Sequence, residues 1–319
     1  MKGKNDARDL MIKVARMHYV YGISQKNIAE QTGFSRGYIC QLLDRAKEVG
    51  IVEIKVNTWL REESELEKSL RESFKLRKVI AISRPQNGLN PELLQNEIIS
   101  ETYNYLDSIV RSSMTIAFSW GRTIYRISQT LKRSVNISNV EVVPLCGGTS
   151  NLNNDIFVSE ISKNIAHAYN GIPLSIPLPA ILENEEIKRS VYSDTNVKQV
   201  LDKICKADIA LFTVGEFGEQ SSIYLGGYID NSQVKSLQKK GAVGDICAHF
   251  INAYGEICDM DLDNRTVSIN LKDFIGIPNK ILIAYGEKKV LPLLGALRKN
   301  YADVVITDED TIKMLQKHI

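Results

Sequence analysis

The sequence predicts an α/β protein in two parts, an N-terminal winged helix-turn-helix domain followed by a larger domain in which strands alternate with helices. Three observations carry this. Two short helical patterns flank a glycine between Ser24 and Leu43; after Gly50 the run I-V-E-I-K-V alternates with the period of a strand; and from Val79 onward apolar runs of strand length alternate with helical segments. The expected boundaries are 1–57 for the helix-turn-helix domain, 58–77 for a connecting helix and 78–319 for the α/β domain.

The first part begins with a helical stripe of Leu10, Val14, Met17 and Tyr21, the third helix on which the motif packs. The motif itself reads S-Q-K-N-I-A-E-Q-T-G-F-S-R-G-Y-I-C-Q-L-L. Ala29 is small where the two helices touch, Gly33 sits where the backbone turns, and Ile39 and Leu42 are apolar where the second helix packs back. Ser24 and Ser35 are placed to cap the two helices. Arg36, Gly37, Tyr38, Gln41 and Arg45 are left on the outward face of the second helix. Arginine pairs with guanine edges and glutamine with adenine edges, so this face, with Ser24, Gln25, Lys26 and Ser35 beside it, is the candidate surface for double-stranded DNA. The competing reading is a helical hairpin that binds nothing. Gly50 ends the second helix, and Ile51 to Val56 is expected to form the strand of a wing.

The connecting segment carries Leu66, Leu70 and Phe74 one turn apart. Strands are then expected at Val79–Ser83, Thr115–Ser119, Val140–Leu145, Leu174–Ile176, Ile209–Val214, Ile281–Tyr285 and Asp303–Thr307, with helices over Pro91–Leu106 and after Trp120. The acidic run Thr307–Asp310 suits a helix N-terminus.

With 319 residues, 44% hydrophobic and 24% charged, the chain is too apolar to be disordered and long enough for two domains. No stretch approaches the ~20 apolar residues of a membrane span, and the polar N-terminus lacks the apolar core of a secretory signal, so the expected location is the cytoplasm, with no membrane partner. The five cysteines and four histidines are dispersed without ligand spacing, so neither a disulfide framework nor a metal site is expected. Residues 1–56 hold ten Lys or Arg against six Asp or Glu, a net of +4, while the remainder holds thirty against thirty-two. The basic excess lies where phosphate contacts are expected.

Two strand-to-helix junctions in the α/β domain combine glycine, hydroxyl and cationic groups at the carboxyl end of a strand, where open α/β sheets bind ligands. One is Ser119-Trp120-Gly121-Arg122-Thr123, and the other is Cys146-Gly147-Gly148-Thr149-Ser150. Either alone is as readily a tight turn; together they suggest a phosphate site. Gly286 with Lys288 or Lys289 is a third candidate, for which a solvated lysine pair is the simpler account. Asp245 in G-A-V-G-D-I is placed to present a carboxylate to sugar hydroxyls.

Taken together, these residues resemble the SorC family of bacterial transcriptional regulators almost end to end. The resemblance rests on the helix-turn-helix with its tail R-A-K-E-V-G-I-V-E-I, then S-W-G-R-T, L-C-G-G-T, G-A-V-G-D-I, A-Y-G-E-K-K and V-I-T-D-E, in that order. It implies a Rossmann-like second domain of the fold shared with sugar-phosphate isomerases and deaminases, serving as a sensor and for oligomerisation, not as an enzyme, with no cofactor. The effector would be a phosphorylated sugar, its phosphate against Gly121, Arg122, Thr123 and Gly147, Gly148, Thr149, with Lys289 nearby and Asp245 facing the sugar. The expected assembly is a homo-oligomer, a dimer or tetramer, with the family favouring a tetramer on operator DNA. Where the family has a paired glycine before the lysine, this chain has Tyr285-Gly286, which narrows or reshapes the pocket; no lysine stands between Cys146 and Glu160 to form a Schiff base.

The function expected is therefore regulation of a carbohydrate-metabolism operon by a DNA-binding protein whose operator affinity responds to a sugar phosphate. The alternatives are a sugar-phosphate isomerase or deaminase, for which Asp245 is one candidate base without a histidine in a matching loop, and a constitutive oligomeric DNA-binding protein. A nucleotide site is disfavoured because neither G-x-x-x-x-G-K-[ST] nor G-x-G-x-x-G occurs.

Overall fold

The computed structural model describes residues 2–52, 61–83, 90–148 and 157–319, the side chains of residues 2–6 excepted. Its contacts divide the chain into two compact units, Met1–Glu62 and Glu63–Ile319.

The smaller unit is helical. Helix α1 (Lys2–Ala15) runs into a π-helical turn over Arg16–Val20, followed by α2 (Gln25–Thr32) and α3 (Arg36–Glu48). Met11, Val14 and Ala15 of α1 pack on Ile28 of α2 and on Ile39, Leu42, Leu43 and Ala46 of α3, with Met17 and Ala29 at the margin. The expected stripe fails at Tyr21, which is 61% exposed. A π turn widens the helix, so the 3.6-residue period no longer carries Tyr21 to the core face. The turn between α2 and α3 rests on Gly33, left-handed at φ 75°, whose N–H donates to the Ala29 carbonyl. Helix α3 ends in a Schellman motif: Gly50 is left-handed at φ 73°, the Gly50 N–H donates to Lys47 and the Ile51 N–H to Ala46. Ile51 and Val52 thus begin the expected wing strand as part of a helix cap, since the Val52 N–H also turns back to Ala46. The remainder of that expectation, Glu53 to Val56, lies outside the described residues.

The larger unit is built on a sheet with, among the described residues, nine strands: β1 (Lys78–Ile82), β2 (Thr115–Phe118), β3 (Glu141–Pro144), β4 (Ile172–Pro173), β5 (Ile209–Glu216), β6 (Gly244–Ile246), β7 (His249–Ile251), β8 (Asn279–Ile283) and β9 (Val304–Asp308). The order is β1-β9-β8-β5-β2-β3-β4, all parallel, with β6 antiparallel to the last three residues of β5 and β7 antiparallel to β6. The central strands are apolar runs because both faces are covered: Ile116, Ala117, Phe118, Ala210, Leu211, Phe212 and Leu282 are all fully buried. The strand expected at Leu174–Ile176 is instead Ile172–Pro173. The N–H groups of Ile172 and Leu174 donate to Val140 and Val142, after which the chain leaves the edge.

The connecting segment supplies α4 (Glu65–Ser73), which belongs to the larger unit and buries Leu70 in its core. Helices α5 (Pro91–Ile109) and α6 (Arg122–Thr130) pack together, and α6 packs on α7 (Val158–Ala168). The acidic run at the C-terminus is a helix start as expected, with Asp308 capping Glu309–Gln316 through the Thr311 N–H at 3.1 Å. No helix among the described residues is long and apolar enough to cross a membrane.

Helix α4 is fastened by a buried carboxylate. Glu67 Oε2 accepts the Ser64 N–H at 2.8 Å, closing a capping box, while Oε1 accepts the Ala81 N–H of β1 at 2.7 Å. A glutamine at this site turns an NH2 group toward one of those two donors. E67Q is therefore expected to cost about 1–3 kcal/mol, read as a lowered midpoint of chemical unfolding of the larger unit.

Candidate functional site

Two groups of candidate residues occupy the two units. In the smaller unit the caps are in place: Ser24 Oγ accepts the Asn27 N–H and Ser35 Oγ accepts the Tyr38 N–H, each at 3.2 Å. Both hydroxyls are thus committed as acceptors to starting a helix. Burying Ile39, Leu42, Leu43 and Ala46 turns Arg36, Gly37, Tyr38, Gln41 and Arg45 to solvent, where all five are exposed, as are Ser24, Lys26 and Ser35, with Gln25 half-buried. Tyr38 leans on Phe34 with ring centroids 5.1 Å apart. The sequence reading passed over two residues on the same face. Cys40 and Asp44 are exposed between the others, with Asp44 taking the Cys40 thiol at 3.7 Å and the Lys47 ammonium at 3.2 Å. Helical spacing was the available signal, with Cys40 four residues after Arg36 and Asp44 three after Gln41.

In the larger unit the strand order reverses between β5 and β2: connections from β2 lead outward through β3, and those from β5 lead the other way through β8. Ligands of open α/β sheets lie at such a switch point, beyond the carboxyl ends of the strands. A cavity of about 390 Å³ opens there. Ser119 ties its two sides together, donating its N–H to Leu211 at 2.9 Å and accepting the Thr213 N–H on Oγ at 3.2 Å.

On the β2 side, Gly121 turns the chain into α6 at φ 125°, which L side chains rarely adopt, and no side chain caps the helix start. The first turn of α6 therefore directs backbone N–H groups and the positive end of the helix dipole at the cavity, beside Arg122 and Thr123. On the β5 side stand Asp245 and Lys289. Asp245 lies on β6 opposite Gly215, and a Cβ at position 215 would overlap its Oδ1; only glycine admits the carboxylate here. Asp245 Oδ2 accepts the Ala248 N–H at 3.0 Å, holding the β6–β7 hairpin turn. That turn places Cys247 at φ 50° and Ala248 at φ 70°, two left-handed residues in succession and neither of them glycine. Cys247 and Cys146 both line the cavity, and the Cys146 thiol together with burial pushes the Cys247 thiol well above its usual range.

Burial pushes the Asp245 carboxyl up, and the Ala248 N–H, Lys289 and His249 draw it partly back. Burial likewise pushes the Lys289 ammonium down; Asp245 and Glu216 oppose this, while Arg122 and Lys288 add to it. Lys289 Nζ donates to the Val214 carbonyl at 2.8 Å. Arg122 and Lys289 therefore repel one another across a space flanked by an uncapped helix start, an arrangement that an anion relieves.

Of the residues expected at a ligand, Gly121, Arg122, Thr123, Asp245 and Lys289 line this cavity. Gly147 and Gly148 do not. Their N–H groups donate to Val267 and Leu178, and a Cβ on Gly147 would lie 2.5 Å from the Pro179 oxygen, so these glycines serve close chain packing. Thr149 lies outside the described residues. The third junction is also internally committed at its glycine, since the Gly286 N–H donates to Thr311 Oγ1 at 2.7 Å. Gln95, Arg126 and Glu216 line the cavity without having been expected there, and Tyr285, expected to reshape the pocket, lines it too. Arg126 was legible as one helical turn beyond Arg122, whereas Gln95 gave no local signal.

Residues 60–317 match the family described as "Putative sugar-binding domain". The chain is 33% identical over 312 residues to the deoxyribonucleoside regulator of Bacillus subtilis, covering 97% of this chain and 98% of that one. It is 27% identical over 318 residues to the sorbitol operon regulator of Klebsiella pneumoniae, covering 99% and 100%. The crystal structure of that full-length sorbitol operon regulator, SorC, superposes with a TM-score of 0.78 at 25% identity, covering 96% of this chain and 98% of the other.

The raised Asp245 pKa makes a signed prediction. Above the ordinary carboxyl value of 3.8, and up to the raised one, the folded protein holds a proton that the unfolded chain has lost, so stability falls as pH rises through that window. D245N is expected to abolish this fall. The difference between wild-type and D245N urea midpoints, followed from about pH 4 to neutrality, should decline with pH and then level off.

Proposed function

The chain belongs to the SorC family of sugar-binding transcriptional regulators, and from that premise we propose that it binds operator DNA through α3 and releases or grips it according to a phosphorylated sugar held in the switch-point cavity. The observation that carries the reading is the convergence of Arg122, Lys289 and the uncapped start of α6 on one cavity, with the buried Asp245 carboxylate opposite. Donors and cations of this kind bind a phosphate, and a carboxylate accepts hydrogen bonds from sugar hydroxyls.

The smaller unit is read as a helix-turn-helix in which Ser24 and Ser35 set the helix starts and Arg36, Tyr38, Gln41 and Arg45 face the major groove, with Lys26 at the phosphates. Asp44 on that face suits a cytosine amino group. A homo-oligomer pairs two or four such faces on a palindromic operator of a carbohydrate operon. A coupling of ~1–3 kcal/mol between cavity and DNA changes operator affinity about 5- to 150-fold. The larger unit is read as Rossmann-like and sensing, not catalytic.

Thermal unfolding against a panel of sugar phosphates, each beside its unphosphorylated parent, tests the sensor. A phosphorylated sugar at ~100 times its dissociation constant is expected to add ~2.7 kcal/mol while its parent adds nothing; equal shifts from both, or none from either, overturn the phosphate assignment. R122A or K289A should abolish that shift and leave operator binding intact. In operator titrations R36A or Q41A should relax base preference by ~1–3 kcal/mol, and K26A should weaken all sequences alike and flatten the salt slope by about one.

A further inference from the structure

Three polar side chains from three elements form a chain along one wall of the cavity. Arg126 on α6 donates from Nη1 to Gln95 Oε1 on α5, and Gln95 Nε2 donates to the Tyr285 hydroxyl oxygen at 2.7 Å, just beyond β8. The direction of every bond in it is forced. A guanidinium has donors only, so it faces the oxygen of the amide. The other end of the amide is then NH2, again a donor only, so the phenol oxygen must accept. A phenol has one proton, and that proton is left to donate outward; no acceptor for it is found among the described residues. Tyr285 lines the cavity, so the donor is presented to whatever the cavity holds.

The distance across the cavity says which part of a ligand it meets. Tyr285 follows β8 and the Gly121–Thr123 turn follows β2, with β5 between them. Neighbouring strands lie about 4.8 Å apart, so the two junctions are about 10 Å from one another. A molecule with its phosphate at the start of α6 reaches Tyr285 with its opposite end.

We propose that Tyr285 determines specificity: its hydroxyl, locked as a donor by Gln95 and Arg126, selects sugars phosphorylated at one end that present an oxygen acceptor at the other. This rests on the phosphosugar reading above. Tyr285 is the contacting group, and Gln95 and Arg126 are positioning residues that fix the direction of its hydrogen bond.

The test is calorimetric titration of the wild type with terminally phosphorylated pentoses and hexoses, each beside the anhydro analogue that lacks the C1 hydroxyl. The tightest parent is expected to exceed its analogue by about 3- to 10-fold, the worth of one neutral hydrogen bond. Y285F keeps the ring and should bind both alike, at the affinity of the analogue. Q95E separates positioning from packing. Its carboxylate accepts from Arg126 at one oxygen and from the phenol at the other, so the tyrosine turns lone pairs to the ligand. The 1-O-methyl glycoside phosphates, whose C1 oxygen can only accept, then lose their advantage over the anhydro analogue, while a free C1 hydroxyl keeps one by donating. Equal wild-type affinities for parent and analogue, or an undiminished preference in Y285F, overturn the assignment and leave the phosphosugar reading standing. A wild type that binds no member of the panel overturns both.

Discussion

A buried carboxylate lying in the space of a missing side chain is the constraint on which the cavity depends. Asp245 can occupy its position only because residue 215 is glycine, and from there it holds the Ala248 N–H and draws on the Lys289 ammonium. Three elements meet in that one group: the end of β5, the β6–β7 hairpin and the approach to the helix Val290–Arg298. An ionised carboxylate removed from water is tolerated only where donors and a countercharge receive it. Here the donor is a backbone amide in a left-handed turn and the countercharge is a lysine whose own burial is equally unfavourable. Each charge offsets only part of the other's cost, since burial still leaves the Asp245 carboxyl raised and the Lys289 ammonium lowered.

Across from this couple the chemistry comes from backbone. The start of α6 has no side-chain cap, and its glycine takes a conformation that other residues resist. Many of the other helices are capped, with Ser24, Ser35, Ser64, Asp194, Asp230 and Asp308 each accepting an N–H, although α7 and Val290–Arg298 also start without a side-chain cap. What sets α6 apart is that its uncapped start faces a cavity that also holds two arginines and a lysine.

Much of this was legible in the sequence, and the failures have identifiable causes. The central strands announced themselves as apolar runs because both faces of a parallel sheet are covered. The hairpin β6–β7 did not, because a two-residue turn is normally signalled by Asn-Gly or Asp-Gly, and Cys247-Ala248 carries neither signal; the Asp245 carboxylate on the Ala248 N–H holds it instead. Gly147 and Gly148 were expected at a phosphate and belong to packing, since glycine permits the close approach of a ligand and of another strand alike. Tyr21 was misplaced by a π turn that no period reveals. Gln95 and Tyr285 are 190 residues apart, and their contact exists only once β8 and α5 are brought together.

The bond from Lys289 to the Val214 carbonyl has a bearing on dose. The carbonyl takes one of the three ammonium protons and leaves two, now held in direction, for an anion. A donor already fixed in place costs less ordering when the ligand arrives, so the saturation curve moves to lower concentration without any change in which molecule fits best.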